Sequence, residues 1–131
     1  MRIYLDTSAL VKLVVAEDES QPLKHFLGAN AEDSLFSAAL ARTELIRAVA
    51  PNGAQAIAGA RDLLNRLDTV MLTRQLLDDA GTLRPPRLRS LDAIHLAAAQ
   101  RAGDALRAVI TYDTRMLSAA ADLGMSTASP R

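Results

Sequence analysis

The sequence contains no cysteine and no tryptophan, and only two tyrosines and two phenylalanines among its 131 residues. The absence of cysteine excludes disulfide bonds, thiolate metal sites and a cysteine nucleophile. With so few aromatic side chains, stacking of nucleotide bases on aromatic platforms is not expected to carry binding. Lys12 and Lys24 are the only lysines, so the positive charge is almost entirely arginine, which grips phosphate in a bidentate manner.

An excess of either charge and a long apolar run are also missing. The 15 basic and 15 acidic residues give a formal net charge of zero, so contact with nucleic acid would need a local basic patch. No apolar run reaches the roughly 18 residues that a membrane span needs. Asp6 and Lys12 interrupt the first apolar runs, which predicts no signal peptide. We therefore expect a soluble, cytoplasmic protein without membrane contact.

Short strand patterns alternate with helical patterns along the chain. The predicted strands cover 2–5, 34–38, 68–72 and 108–112, with an edge strand expected beyond residue 124. The predicted helices cover 9–16, 20–28, 40–50, 53–67, 74–81, 91–102 and 114–123. This alternation predicts an α/β fold in which a parallel sheet carries helices on both faces. The length suits a single domain spanning residues 1–131.

Two aspartates directly follow predicted strands. Asp6 follows R-I-Y-L and Asp113 follows 108–112, so both are expected beyond the carboxyl ends of parallel strands, where sites form. Aspartate is also a favoured N-cap, and each carboxylate alone could serve only to begin a helix. Hydroxyl side chains are available for that role, which leaves the carboxylates free for a site: Thr7, Ser8 and Thr114. Thr73 and Ser90 are predicted to cap the helices that follow them.

Glu44 interrupts the apolar row of its predicted helix, between Leu40 and Ala48. A glutamate in a helix is usually solvated, and Arg42 or Arg47 could pair with it. Its place beside the apolar face favours a position near the core instead.

Asp92 lies in a helix, L-D-A-I-H-L-A-A-A, that is apolar on nearly every side and is therefore predicted to be buried. Only Asp92 and His95 are polar in this segment, and their spacing of three places them on one face. Asp92 could simply favour the positive end of the helix dipole. We interpret His95 as a hydrogen-bonded core histidine rather than a catalytic one, because magnesium-type sites prefer oxygen ligands.

Four segments together resemble the PIN domain, and more closely the VapC toxins of bacterial toxin–antitoxin systems. They are I-Y-L-D-T-S-A-L at the start, S-x-x-x-x-x-T-E-L ending at Leu45, L-D-A-I-H-L-A at 91–97 and V-I-T-Y-D at 109–113. The resemblance implies a catalytic and metal-binding site of four acidic residues, Asp6, Glu44, Asp92 and Asp113. It also implies supporting hydroxyl groups at Thr7 or Ser8 and at Thr111, with Asp113 as the least uniform acidic position.

The resemblance implies an endoribonuclease that uses Mg²⁺ or Mn²⁺ to hydrolyse phosphodiester bonds of structured RNA and so inhibits translation and growth. It further implies a VapB-like antitoxin as partner, a homodimer, and a hetero-oligomer with the antitoxin. We hypothesise that a basic antitoxin residue takes the place of the metal in the inhibited complex. Carboxylates brought close together repel one another, which raises their pKa values or pushes them apart unless a cation lies between them. This repulsion is the physical reason to expect a divalent ion at the four acidic residues.

An acidic site repels RNA, so positive charge is expected beside it. We predict that some of the arginines near Asp92 and Asp113 hold substrate phosphates, although each taken singly could be an ordinary solvated arginine: Arg84, Arg87, Arg89 and Arg115. Two other functions stay open. One is a non-catalytic PIN-like module that binds RNA or a partner, and the other is a phosphatase with Asp6 as nucleophile. The phosphatase is disfavoured because such sites usually have a second aspartate where this chain has Ser8.

Overall fold

The computed structural model describes residues 1–131. Its five strands are β1 (Arg2–Leu5), β2 (Ser34–Ala38), β3 (Asp68–Val70), β4 (Leu106–Ile110) and β5 (Thr127–Ala128). Its seven α-helices are α1 (Thr7–Val14), α2 (Ser20–Ala29), α3 (Ala41–Val49), α4 (Ala54–Arg66), α5 (Arg74–Gly81), α6 (Ser90–Gln100) and α7 (Thr114–Asp122). Short 3-10 turns follow α3 and α6.

The strands form one sheet in the order β3-β2-β1-β4-β5, and every neighbouring pair is parallel. The chain builds outward from β1 to β2 and β3, and then crosses to the other side of β1 to add β4 and β5. The strand order therefore reverses between β1 and β4. In open parallel sheets, ligands bind beyond the carboxyl ends of the strands at such a reversal.

Helices cover both faces of the sheet. Alternate side chains of a strand point to opposite faces, so each strand contributes residues to the core on either side. Ile3 and Leu5 of β1 belong to a core cluster that also contains residues of α1, α2, α3 and α4. Tyr4, between them, belongs to a second cluster with residues of α5, α6 and α7. The predicted α/β fold with helices on both faces is confirmed. No helix of the structure combines the length and the apolar character that crossing a bilayer requires.

The end of β4 differs from the sequence-based expectation, which carried this strand to Tyr112. The strand ends at Ile110. The Thr111 N–H still donates to the Ala128 carbonyl of β5 at 3.3 Å, but the Tyr112 N–H donates to the Ser8 hydroxyl at 2.9 Å instead of to a neighbouring strand. Asp113 is therefore separated from the strand by two residues. The predicted edge strand beyond residue 124 is present as β5.

The predicted helix caps are correct at only one position. Thr73 caps α5 by accepting the Leu76 N–H. The prediction for Ser90 was wrong: this residue is the first of α6, and Arg89 stands at the cap with no side-chain hydrogen bond.

Candidate active site

Asp6 lies at the carboxyl end of β1, buried with only 3% of its surface exposed. Its Oδ1 accepts the Ala9 N–H at 3.0 Å and the Ser8 hydroxyl at 2.7 Å. Its Oδ2 accepts the Thr111 hydroxyl at 2.5 Å. Burial raises the pKa of Asp6, although these hydrogen bonds oppose the rise. The prediction that Thr7 or Ser8 caps α1 was wrong, because the Asp6 carboxylate is the N-cap itself.

Thr111 and Ser8 join the carboxyl ends of β4 and β1. The Thr111 hydroxyl donates to Asp6 and accepts the Asp113 N–H at 3.1 Å. The hydroxyl oxygens of Ser8 and Thr111 lie 3.3 Å apart. These contacts fix the orientation of Asp6 and tie it to the segment that carries Asp113.

Glu44 lies in the first turn of α3, and its side chain is partly buried. Its Oε1 accepts the Thr7 hydroxyl at 2.7 Å and lies 2.6 Å from His95 Nε2. Burial opposes ionisation of Glu44, but the hydrogen bonds from His95 and Thr7 outweigh it, so the pKa of Glu44 falls below its ordinary value. The suggested arginine partners are not used, since Arg42 contacts Asn65 instead.

Asp92 lies in the first turn of α6 and makes no hydrogen bond through its side chain. Burial raises its pKa, and the negative charges of Asp113, Asp6 and Glu44 raise it further, while His95 acts in the opposite direction. Because the interaction between charges weakens with distance, a carboxylate whose pKa responds to three others must lie near them. The four residues singled out from the sequence therefore lie around the reversal between β1 and β4, near enough for their charges to interact.

Asp113 begins α7. Its Oδ1 accepts the Arg115 N–H at 2.9 Å and the Met116 N–H at 3.3 Å. Thr114, which the sequence made available as an alternative cap, does not serve as one, because it is already the first helical residue. One oxygen of Asp113 is therefore engaged by the helix, and Oδ2 makes no protein hydrogen bond.

The donor set suits a hard divalent cation. The oxygens without protein partners are Glu44 Oε2, Asp113 Oδ2 and both carboxylate oxygens of Asp92, and carboxylate oxygens are the ligands that Mg²⁺ and Mn²⁺ prefer. As the side chains stand, no three histidine, aspartate or glutamate groups are close enough together to hold one ion. Ligation by three of them therefore requires side-chain rearrangement, for which partly exposed Asp92 is the least restrained.

Comparison with known proteins places this arrangement in a family. Residues 3–122 match the model of the PIN domain. The chain is 47% identical to Ribonuclease VapC46 of Mycobacterium tuberculosis over 128 residues, which cover 98% of this chain and 97% of the relative. It is 46% identical to Ribonuclease VapC47 of the same organism over 132 residues, which cover 98% and 96%. The chain belongs to the PIN domain family, in its VapC group.

A solved structure supports the same fold. The crystal structure of VapC20 of M. tuberculosis, described as a Sarcin-Ricin loop cleaving toxin, superposes with a TM-score of 0.73 at 17% sequence identity. The match covers 89% of this chain and 94% of VapC20. At this level of identity, the likeness establishes the PIN fold and nothing finer.

A cleft of about 510 Å³ opens beside Asp92 in this PIN domain. It lies between the loop before α6 and the helix α7, and three exposed arginines, none of them in an ion pair, line it: Arg87, Arg89 and Arg115. Arg84, the fourth arginine predicted to contact RNA, does not line the cleft. Ser118 and Asp122 of α7 also line it and were not anticipated from the sequence.

The structure also places Tyr4 at the PIN-domain site, which the sequence did not predict. Its hydroxyl lies 2.5 Å from Nδ1 of His95, whose other nitrogen contacts Glu44. The spacing of Asp92 and His95 pointed to a shared face of α6. No local signal could connect that face with a strand residue 91 positions away.

Proposed function

We propose that this chain, as one PIN domain spanning residues 1–131, is a Mg²⁺- or Mn²⁺-dependent endoribonuclease and the toxin of a toxin–antitoxin pair. The observation that carries the proposal is that four carboxylates far apart in sequence lie around the strand-order reversal, where the charges of three of them act on Asp92. The raised pKa of Asp92, caused by burial and by the charges of Asp113, Asp6 and Glu44, supports it. An assembly of like charges costs stability, so a cation is expected to belong there.

The four carboxylates have different parts in this proposal. When bound, a divalent ion supplies an acidified water and neutralises charge that develops on the phosphate. Asp6 is the fixed member, since hydroxyl and backbone donors hold both of its oxygens. Glu44 and Asp113 each offer one oxygen, and Asp92 offers two. We propose that Asp113, committed in part to capping α7, acts on the ion directly or through water.

We propose that the arginine-lined cleft holds RNA phosphates on either side of the cleaved bond. The guanidinium groups of Arg87, Arg89 and Arg115 are free of carboxylate partners, so no ion pair has to break before they contact a phosphate. Two of the VapC relatives are named ribonucleases, and VapC20 is described as cutting the Sarcin-Ricin loop, a structured RNA. We therefore infer a structured RNA substrate, whose cleavage inhibits translation and growth.

We also propose a VapB-like antitoxin as partner, with a homodimer of this chain as the unit it binds. Membership in the VapC group is the support for both statements. Analytical ultracentrifugation of the chain alone and with the product of a neighbouring antitoxin gene tests them. A monomer at all concentrations contradicts the dimer. If alanine replacement of the basic antitoxin residues leaves inhibition unchanged, those residues do not substitute for the metal.

Cleavage of a labelled structured RNA tests the activity. The wild-type chain is expected to cut the RNA with Mg²⁺ or Mn²⁺, to stop when EDTA is added, and to recover when Mn²⁺ is restored. Asp92→Asn and Asp6→Asn are expected to lose cleavage under every condition, while Asp18→Asn, an exposed change away from the site, keeps it. Cleavage that persists in EDTA contradicts the metal dependence.

The alternative of a non-catalytic module predicts RNA binding without cleavage in the same assay. The phosphatase alternative is weakened by the surroundings of Asp6, since a nucleophilic oxygen must be accessible. Asp6 is almost fully buried, and both of its oxygens accept hydrogen bonds.

A further inference from the structure

A line of short hydrogen bonds crosses the core of the protein and ends at Glu44. The Tyr4 hydroxyl lies 2.5 Å from His95 Nδ1, and His95 Nε2 lies 2.6 Å from Glu44 Oε1. The line joins β1, α6 and α3, and so it links the two helical layers across the carboxyl end of the sheet. The sequence predicts His95 to be an ordinary core histidine and does not connect it with either neighbour.

The direction of each bond follows from the hydrogens available. The Tyr4 oxygen accepts the Ala38 N–H at 3.2 Å, so the phenol has its own hydrogen to give. Burial raises the pKa of Tyr4 well above its usual range, which keeps that hydrogen in place at any working pH. The nearby acceptor is Nδ1 of His95. A ring that accepts at Nδ1 carries its hydrogen on Nε2 and donates it to Glu44.

We propose that His95 is a positioning residue: Tyr4 orients the ring so that Nε2 faces Glu44, and the ring holds Oε1 of Glu44 in place so that Oε2 stays available to a divalent ion. The role in metal binding rests on the proposed function, whereas the contacts of His95 with Tyr4 and Glu44 do not depend on it. Thr7 donates to the same oxygen. Oε1 of Glu44 therefore accepts from both Thr7 and His95, and Oε2 accepts from no protein donor.

Fixing this side chain before the ion arrives has a physical benefit. A free glutamate loses rotamer entropy when it is immobilised, and here the two donors impose that loss during folding rather than during metal binding. The ring itself is rigidly held: it is 2% exposed and meets Tyr4 edge to face with centroids 5.9 Å apart. Residues that orient metal ligands in this way typically change metal affinity or activity 10–100-fold when they are replaced.

The tautomer is tested first, by long-range nitrogen–proton NMR of the metal-free protein. The chain has only two histidines, and the exposed His25 serves as an internal reference for a ring free to exchange tautomers. We expect a single resonance pattern for His95, with hydrogen on the Nε2 that faces Glu44. In Tyr4→Phe, which removes the hydroxyl beside Nδ1, we expect a mixture that includes rings with hydrogen on Nδ1 alone. Hydrogen on Nδ1 alone in the wild type overturns the inference, because Nε2 then has no hydrogen to donate to Glu44.

Metal binding is tested by calorimetric titration with Mn²⁺. His95→Leu is expected to bind Mn²⁺ about 10–100-fold more weakly than the wild type. His95→Gln, whose amide can still donate to Glu44, is expected to restore most of the affinity. Leu96→Val is the matched control: it changes a fully buried residue of the same helix without touching Glu44, and is expected to lower stability but not affinity. Equal Mn²⁺ affinity in His95→Leu and the wild type overturns the inference.

RNA cleavage then separates positioning from general damage. The His95 and Tyr4 variants are expected to lower kcat while KM for RNA stays near the wild-type value, because the arginine cleft is untouched. A wild-type chain that binds no Mn²⁺ contradicts the proposed function rather than this inference, since the NMR measurement needs no metal. If His95→Leu does not fold, Tyr4→Phe and His95→Gln still decide the question by NMR and titration.

Discussion

Replacing Asp92 by asparagine is expected to stabilise the protein in the absence of divalent metal while it abolishes RNA cleavage. The change keeps the size of the side chain and removes one negative charge from a group of four. Asp92 makes no hydrogen bond that the substitution could break. The carboxylate is therefore retained at a cost in stability, as expected for a residue that serves a ligand rather than the fold.

The size of the effect follows from opposing electrostatic contributions. Repulsion from Asp6, Glu44 and Asp113 is screened because Asp92 is partly exposed, so each pair is expected to contribute about 0.2–1 kcal/mol. The position of Asp92 in the first turn of α6 opposes this, since a negative charge there gains about 0.3–1 kcal/mol from the helix dipole. The balance is a stabilisation of about 1 kcal/mol, which raises the Tm of a chain of this length by about 3–5 °C.

The dependence on pH has a definite sign. Burial and the neighbouring carboxylates raise the pKa of Asp92 in the folded state, so its protonated form favours folding. That contribution is fully present below the unfolded-state pKa of about 3.9, and it is lost as the pH rises through the higher folded-state value. The Tm difference between Asp92→Asn and the wild type should therefore be largest near neutral pH and should vanish in acid.

Thermal unfolding followed by circular dichroism, in EDTA and across this pH range, measures the effect. Asp18→Asn, an exposed aspartate with no ion pair, is the matched control and should leave Tm unchanged. Added Mg²⁺ or Mn²⁺ should raise the Tm of the wild type more than that of Asp92→Asn. A lower Tm for Asp92→Asn in EDTA at neutral pH would refute the electrostatic reasoning.

Three further outcomes are expected. Thr111→Val removes the hydroxyl that donates to buried Asp6, and denaturant titration should show a loss of about 1–3 kcal/mol in the free energy of unfolding, with no loss if the bond is unimportant. Asp113→Ala should lower the free energy of unfolding by about 0.5–2 kcal/mol because α7 loses its cap. Asp113→Ser should keep the cap and still lose RNA cleavage, and cleavage equal to that of the wild type would exclude a metal-binding role for Asp113. Replacing the cleft arginines Arg87, Arg89 and Arg115 by glutamine should flatten the dependence of log affinity for RNA on log salt by about 0.7–0.9 for each phosphate that is no longer neutralised. An unchanged slope would show that these arginines do not contact the RNA.

The sequence predicts the fold well because the three central strands β1, β2 and β4 are short, mainly apolar and largely buried, and helices with clear periodicity separate the strands. The alternation alone indicates a parallel sheet. The approximate positions of the acidic residues follow from the same rule, since sites form beyond the carboxyl ends of parallel strands. Asp6 and Asp113 could be expected there without any knowledge of side-chain contacts.

Local competition for hydrogen bonds was not predictable from the sequence. Whether Asp6, Thr7 or Ser8 caps α1 depends on which of these side chains makes hydrogen bonds elsewhere. The Ser8 hydroxyl contacts Thr111 because β1 pairs with β4, and this contact cannot be read from the local sequence. The contact between Tyr4 and His95 depends on the same long-range packing. Propensities describe neighbours along the chain and do not specify partners about a hundred residues apart.

The position of β1 in the middle of the sheet has a consequence for synthesis. Its neighbour β4 begins at Leu106, about a hundred residues after β1 ends, so the second edge of the central strand stays uncovered until that intervening stretch has been synthesised. Asp113 and Thr111 emerge later still. The parts of the candidate site are therefore brought together only after β4 has paired with β1, about a hundred residues after Asp6 has been synthesised.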